Sequence, residues 1–300
     1  MRTLVTGATG FIGRHLLPHL KRPVVLSRYG TRQQSALSAL DVTTYDWLPH
    51  VGLPPAQAFD EVEVVIHLAG ESVAGRWTQA KKRRMFESRV TGTSHLVTTL
   101  SQLAHPPRLL ISASAVGYYG SRGDELLDET GAPGHGFLAD LCTAWESAAA
   151  AATDLGVRVV MLRTGIVLGR DGGALPRMLP PFRWGCGGKL GNGRQWMPWI
   201  HIGDLVRAIL FLIEHTTLSG PVNASSPQPV PNAEFTRSLG RALQRPTWCT
   251  VPAPLLRLAL GEFAQVLLGS QRAMPYVLAR AGFEYEFPEL DRALHDILRS

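Results

Sequence analysis

Three glycines near the start of the chain restrict its fold more than any other feature. A short apolar run, Thr3 to Val5, leads into Thr6 and Gly7; Gly10 and Gly13 follow, and then the amphipathic stretch His15 to Leu20. That order predicts strand, tight turn, helix. Gly7 permits the turn, Gly10 lets a pyrophosphate approach the backbone, and Gly13 lets the helix pack close to the strand. The anion would then rest on the positive end of the helix dipole. A glycine triplet alone is a weak signal. One that follows a strand and opens a helix is in the context that gives it meaning. Thr6, Gly7, Thr9, Gly10, Phe11, Ile12 and Gly13 are therefore expected to form a dinucleotide-binding turn.

The next apolar run, Pro23 to Arg28, reads as a second strand whose end lies about twenty residues beyond Gly7. A fold that prefers NAD places an acidic residue there, bonded to the ribose 2′-hydroxyl. This chain has Ser27 and Arg28, with Arg32 shortly after. A carboxylate repels a 2′-phosphate, whereas a guanidinium grips it with two hydrogen bonds. The expected cofactor is NADP rather than NAD.

Strand and helix signals then alternate. Leu40 to Trp47, Val62 to Gly70, Pro107 to Ala115 and Val157 to Gly169 read as strands. Phe137 to Leu155 reads as a helix, and Glu71 to Leu103 as a loop that becomes a long one. This rhythm predicts an α/β fold, a doubly wound parallel Rossmann sheet. The tip Leu68-Ala69-Gly70 is expected to pass under the cofactor, and His67 to be a satisfied core histidine. The basic stretch Arg76 to Arg89 reads as a solvated helix face or as a ligand contact; Arg76 and Arg89 are the better candidates for contact. Ser112, Ser114, Tyr118 and Tyr119 fall where open α/β sheets place their chemistry, outside the carboxyl ends of the strands. After Gly169 the rhythm changes to a stretch rich in Gly, Pro, Arg and Trp, followed by an amphipathic helix expected over Leu205 to Glu214 and then by mostly helical patterns. Residues 1–169 are expected to form the dinucleotide-binding domain, with 200–224 returning to it. Residues 170–199 and 225–300 would form a smaller, mostly helical C-terminal lobe.

Composition narrows the function class. At 300 residues and 45% hydrophobic content the chain can bury a large core. No apolar run approaches the ~20 residues of a membrane span, and a strand at the very start leaves no room for a signal peptide. Three widely spaced cysteines, Cys142, Cys186 and Cys249, suggest a reducing cytoplasm and neither a disulfide framework nor a metal site. The net charge of +6 is better explained by an anionic cofactor or substrate than by nucleic acid, because no nucleic-acid motif or aromatic platform accompanies it.

Taken together, Thr6-Gly-Ala-Thr-Gly-Phe-Ile-Gly13, His67-Leu-Ala-Gly70, Ser112-Ala-Ser-Ala-Val-Gly-Tyr-Tyr-Gly120, Arg163-Thr-Gly-Ile-Val-Leu-Gly169 and Trp199-Ile-His-Ile-Gly-Asp204 resemble the extended short-chain dehydrogenase/reductases. More narrowly, Gly70-Glu-Ser, Arg76-Trp-Thr, Gly193-Arg-Gln-Trp-Met-Pro-Trp-Ile-His201 and Asn223-Ala-Ser-Ser-Pro227 resemble the atypical "epimerase family" proteins, the YfcH-like group. The resemblance implies that Arg163 joins the cofactor residues. It also implies a substrate region that takes in Glu71 and Arg76, and pairing of two copies through central helices. The loop from Gly185 reads either as a substrate loop, with Trp196 and Trp199 as flat apolar walls, or as a packed surface excursion, and His201 reads as structural or pocket-forming. It implies Ser114 as the catalytic serine. In one respect the chain departs from the pattern. The usual Tyr and Lys, four residues apart, are replaced by Leu138 and Cys142. Leucine transfers no proton, and a neutral thiol provides no field to lower a phenol's pKa.

Two readings follow. One is an NADPH-dependent oxidoreductase acting on a small polar or nucleotide-linked molecule, with Tyr118, or a water held by Ser114 and Glu146, as the proton source. The other is a dinucleotide-binding sensor or scaffold that has lost catalysis.

Overall fold

The computed structural model describes residues 1–28 and 41–299. Seven parallel strands form the central sheet: β1 (Arg2–Thr6), β2 (Val24–Ser27), β3 (Thr43–Asp46), β4 (Val62–His67), β5 (Leu109–Ala115), β6 (Arg158–Thr164) and β7 (Gly220–Ala224). Their order across the sheet is β7-β6-β5-β4-β1-β2-β3, so the direction of winding reverses between β1 and β4. Ligands of such sheets bind in the crevice outside the strand ends at that reversal.

Strand side chains alternate between two apolar layers. Val5, Val64, Ile66, Leu109, Ile111, Val160 and Leu162 face one layer, with α1 (Phe11–Leu16) and the later helix Ile202–Glu214 over them. Leu4, Val65, Leu110 and Val159 face the other. Leu96, Val97 and Leu100, along with Ala149 and Ala152, cover that side. The elements between are α2 (Gln79–Phe86), α3 (Gly92–Gln102) and α4 (Phe137–Ala150). Strands buried on both faces explain the near-continuous apolar runs of the sequence.

A third apolar cluster lies beyond β6. It joins Leu175, Leu179 and Phe182 of α5 (Leu175–Arg183) to Trp199 and to Phe235 and Leu239. Phe287, Leu290, Leu294 and Ile297 complete it. Here α6 is Ile202–Glu214 and α7 is Asn232–Leu243. The tail forms α8 (Ala253–Leu260), α9 (Ala264–Leu268), α10 (Tyr276–Arg280) and α11 (Leu290–Arg299). Its middle section returns to the sheet, where Leu278 and Phe283 enter the first layer beside Val222.

Three element boundaries differ from the sequence reading. The run Val157 to Gly169 is broken at Gly165, where a β-carbon would stand 2.6 Å from the Pro198 carbonyl oxygen. After that break Ile166–Leu168 pairs with Trp199–His201 instead of with the main sheet. The helix expected from Leu205 begins at Ile202, because the His201 imidazole caps it by accepting the Gly203 N–H at 3.1 Å. The long helix ending near Leu103 contains a π-turn, Glu87–Thr91, between α2 and α3.

Candidate functional site

The glycine turn is built as the spacing predicts. Gly7 has φ +70°, and a β-carbon on it would lie 2.7 Å from the Leu68 carbonyl carbon and 2.8 Å from the Ala69 nitrogen. Gly13 allows no side chain either: a β-carbon there would meet Ala8 Cα and Gly7 O at 2.5 Å. Gly10 is different. It is exposed, and among the described residues the only neighbour of an added β-carbon would be Gly7 O at 3.1 Å. Gly7 and Gly13 thus serve the protein's own packing, while no described residue fills the outer side of Gly10. That is a cradle for a ligand's backbone approach, and its residues fit a pyrophosphate. Thr9 is exposed beside it, and Ile12 packs into the core. Phe11 packs on the loop after β6: β-carbons on Gly169, Gly172 and Gly173 would each clash with its ring.

Thr6 ties this turn to the tip of β4. Its hydroxyl accepts the Ala69 N–H (3.1 Å) and meets His67 Nδ1 at 2.7 Å, while His67 Nε2 meets Thr93 Oγ1 at 3.1 Å. In the neutral imidazole one ring nitrogen donates and the other accepts, so either tautomer satisfies the two hydroxyls. Burial, helped by the nearby Arg89 cation, lowers the His67 pKa to about 4. His67 is the satisfied, neutral core histidine expected. Ser27 is half-buried at the end of β2, next to β1, and Arg28 follows it exposed. Arg32 lies outside the described residues. Gly70 is exposed at the end of β4 beside the Arg89 guanidinium.

The second half of the site is made of side chains. Ser114, near the end of β5, donates to Glu146 Oε1 at 2.6 Å. Glu146, on α4, is also gripped at both oxygens by Arg163 of β6, at 2.9 and 2.8 Å. Arg163 Nη1 donates to the Tyr119 hydroxyl (2.9 Å) and to the Glu129 carbonyl (3.2 Å). Tyr119 reaches Asn223 Oδ1 at 2.8 Å, and Glu129 Oε1 accepts the N–H groups of Asn223 and Val277 at 3.1 Å. Every member is buried and partnered, as a low-dielectric interior requires. Burial pushes the Tyr119 phenol up to about 12 against the pull of Arg163, so it stays protonated. Tyr118 is half-buried, its ring 3.5 Å from the Arg163 guanidinium carbon. Its hydroxyl has no hydrogen bond to another described residue.

Leu138 and Cys142 pack beside Gly117, in the turn that follows this serine. A β-carbon on Gly117 would touch Leu138 Cβ at 3.4 Å and Cys142 Sγ at 3.9 Å. Burial, then the Glu146 charge, raises the Cys142 thiol to about 12. It is a neutral thiol, so the positions of the usual pair carry neither a proton donor nor a charge. Trp77, Phe137 and Phe263 form an aromatic wall nearby, with Phe137 and Phe263 at 5.3 and 6.0 Å from Trp77. Lys82 pairs with Glu262 across it, and Arg76 approaches Gly261, so the tail crosses the Gly70–Trp77 loop.

Four expected site residues stand elsewhere. Arg163 is an internal strut, because its Nε and both terminal nitrogens are bonded within the protein. Trp199 is fully buried and donates to the Gln228 carbonyl at 3.0 Å, so it forms core rather than a substrate wall. His201 is buried, caps α6 and meets Asp296 at 3.3 Å. Trp196 donates to Asp124 at 2.8 Å and lies under Arg272, closing a seam between two loops. Glu71 keeps a half-buried place near Gly70, its backbone held by Ser88. Sequence reasoning missed Glu129 and Asn223. Asn223 sits in a recognisable Asn-Ala-Ser-Ser run, but Glu129 in its polar loop carries no local signal. Among the described residues no group of three or more His, Cys, Asp or Glu is arranged to hold a metal.

Comparison with known proteins agrees with this geometry. The model of the NAD dependent epimerase/dehydratase family matches residues 3–224, and a domain of unknown function, DUF1731, matches residues 251–297. An epimerase family protein of Mycobacterium leprae is 41% identical over 97% of this chain and 93% of its own length. Epimerase family protein YfhF of Bacillus subtilis is 34% identical over 99% and 98%. The crystal structure of human epimerase family protein SDR39U1 with NADPH superposes with a TM-score of 0.86 at 32% identity, covering 100% of both chains. The chain belongs to the NAD dependent epimerase/dehydratase family, in the group of epimerase family proteins whose Rossmann sheet is followed by the DUF1731 region.

Proposed function

We propose that this protein binds NADP(H) at the Gly7–Gly13 turn and acts as an oxidoreductase on a small polar or nucleotide-linked molecule. The observation that carries the cofactor assignment is Gly10: unlike Gly7 and Gly13, it has room on its outer side that no described residue fills. Arg28 follows the end of the neighbouring strand, where a 2′-phosphate would need a cation. The NADPH complex of a relative with the same fold supports this choice. In this reading residues 1–169 with 200–224 hold the cofactor, and residues 170–199 and 225–300 close the substrate side. The cysteines, free among the described residues, support a cytoplasmic setting.

The cofactor supplies or accepts a hydride; the protein must orient the substrate and manage a proton. Ser114 has given its hydrogen to Glu146, so toward a substrate it acts as an acceptor. It suits a hydroxyl group better than a carbonyl. Tyr118, whose hydroxyl has no hydrogen bond to another described residue, is the candidate proton donor, and Glu71 and Arg76 are candidate substrate contacts. The second reading is a sensor or scaffold without turnover, favoured by Leu138 and the neutral Cys142. NADPH oxidation followed at 340 nm against a panel of carbonyl, imine and enone compounds separates the two. Oxidation that falls in Tyr118→Phe supports the enzyme. Bound NADPH that no compound oxidises, while its binding changes assembly with a partner, supports the sensor.

A further inference from the structure

One edge of the C-terminal lobe concentrates the positive charge of the chain. Between Asp171 and Asp204 the sequence has Arg177, Arg183, Lys189 and Arg194 and no carboxylate. Between Glu234 and Glu262 it has Arg237, Arg241, Arg245 and Arg257, again with no carboxylate. These two stretches hold eight cations, so the remainder of the +6 chain carries a net −2. The fold brings the two stretches together. Gly188–Leu190 pairs in parallel with Cys249–Val251, and a β-carbon on Gly185 would lie 3.8 Å from Pro246 Cγ. The seven arginines are exposed, and among the described residues only one of the eight cations has an ion-pair partner, Arg241 with Asp291.

The same two stretches expose apolar side chains. Trp248 is 91% exposed, Trp184 86% and Leu258 77%, more than any other large apolar side chain among the described residues. Trp184 caps the end of α5, and Trp248 precedes the strand Cys249–Val251. After that strand comes α8, with exposed Leu255 and Leu258 three residues apart on one side of the helix. Arg237 and Arg241 of α7, one turn apart, line a recess of about 370 Å³ with Arg245 and Trp248. Helix C-termini favour cations, and Arg183, Arg241 and Arg257 stand in last turns. That preference does not account for the missing carboxylates or for tryptophans left in water. Exposed apolar groups rimmed by charge mark a surface that meets something. Leucine gains nothing in a nucleic-acid groove, where stacking and phosphate contacts supply the affinity. At a bilayer surface each component has a use: indole rings sit at headgroup level, leucines reach the acyl boundary, and guanidinium groups bind phosphate.

We infer that this edge of the C-terminal lobe docks on the surface of an anionic lipid bilayer. Trp184, Trp248, Leu255 and Leu258 enter the headgroup region, and the arginines hold lipid phosphates. Such docking needs no spanning helix. It is independent of the cofactor reading above.

Flotation of the full chain with vesicles tests this. The vesicles are phosphatidylcholine alone or an equimolar mixture of phosphatidylcholine and phosphatidylglycerol. Wild type should bind the mixed vesicles at least about tenfold more tightly than the neutral ones, and about 0.5 M salt should remove most of that difference. Arg237→Gln with Arg245→Gln should weaken binding to mixed vesicles about tenfold or more. Arg2→Gln with Arg108→Gln removes the same charge from the amino ends of β1 and β5 and should leave binding nearly intact. Trp184→Ala with Trp248→Ala should also weaken binding and should abolish the blue shift of tryptophan emission that mixed vesicles induce. All three pairs should keep the wild-type thermal midpoint; should the tryptophan pair not fold, the two arginine pairs decide. Equal affinity of wild type for both vesicles would overturn the proposal. Equal loss in the two arginine pairs would reduce the effect to net charge and overturn it too. Tighter binding of a single-stranded oligonucleotide than of mixed vesicles, through Arg237 and Arg245, would assign the surface to nucleic acid instead.

Discussion

The two halves of the site are built from different materials. At the end of β1 the work falls to backbone: three glycines, of which Gly7 and Gly13 let the chain touch itself and Gly10 leaves room for something else. At the end of β5 it falls to side chains, in a buried relay from Ser114 through Glu146 and Arg163 to Tyr119, Asn223 and Glu129. A backbone cradle depends on three residues lacking side chains and is hard to alter without losing it. A side-chain centre can change one member while its supports persist. Leu138 and Cys142 occupy positions where an acid and a cation are ordinarily found, yet the serine and its carboxylate support are in place. Cofactor binding and chemistry are therefore separable properties of this fold.

The sharpest way to break this comparison is to remove a support from the second half. Arg163→Leu leaves Glu146 buried without its counter-charge and should cost about 3–5 kcal/mol of stability, read as a shift of the urea midpoint. A loss under 1 kcal/mol would mean the pair is not the strut described. His67 ties the glycine turn to α3 through Thr6 and Thr93 and gives a pH signature of nearly that size. Its folded pKa of about 4 lies below the unfolded value of 6.5, so the unfolded chain binds the proton first as pH falls. The stability it contributes is complete above pH 6.5 and is lost toward pH 4. Over that window the wild type should lose roughly 3 kcal/mol more than His67→Gln. Equal losses would show that His67 titrates normally.

Smaller effects sharpen the contrast among the glycines. Gly13→Ala places a β-carbon 2.5 Å from Ala8 Cα and should lower stability by about 1–3 kcal/mol through overpacking. Among the described residues Gly10→Ala meets only Gly7 O; it should fold nearly as well as wild type, yet lose about tenfold or more in NADPH affinity. Matching behaviour of the two variants would erase the distinction between a packing glycine and a ligand glycine. The smallest perturbation is chemical. In the native protein the exposed Cys186 and Cys249 should react with iodoacetamide, while buried Cys142, its thiol near 12, should react only after unfolding.

Sequence reasoning saw the first half well because its rule is local. Glycine spacing, a strand before it and a helix after it are all readable in thirteen residues. The alternation of apolar runs and helix patterns likewise gave the parallel sheet. The second half depends on contacts across the sheet. Arg163 lies seventeen residues from Glu146 and forty-four from Tyr119, and no spacing reveals that all three share one hydrogen-bond network. The same limit explains the tryptophan errors. Trp199 looked like a flat pocket wall in a loop, but strand pairing with Ile166–Leu168 turns it into the core. The substitution of Leu138 and Cys142, by contrast, is local and could be read from sequence.

The central claim is that the glycine turn and Arg28 select a dinucleotide carrying a 2′-phosphate. Calorimetric titration of NADPH and NADH into wild type and Arg28→Asp tests it most directly. The account predicts that wild type binds NADPH at least about tenfold more tightly than NADH, and that Arg28→Asp loses this preference while still binding NADH. Wild type that binds the two equally, or a variant that loses both in the same proportion, would contradict it.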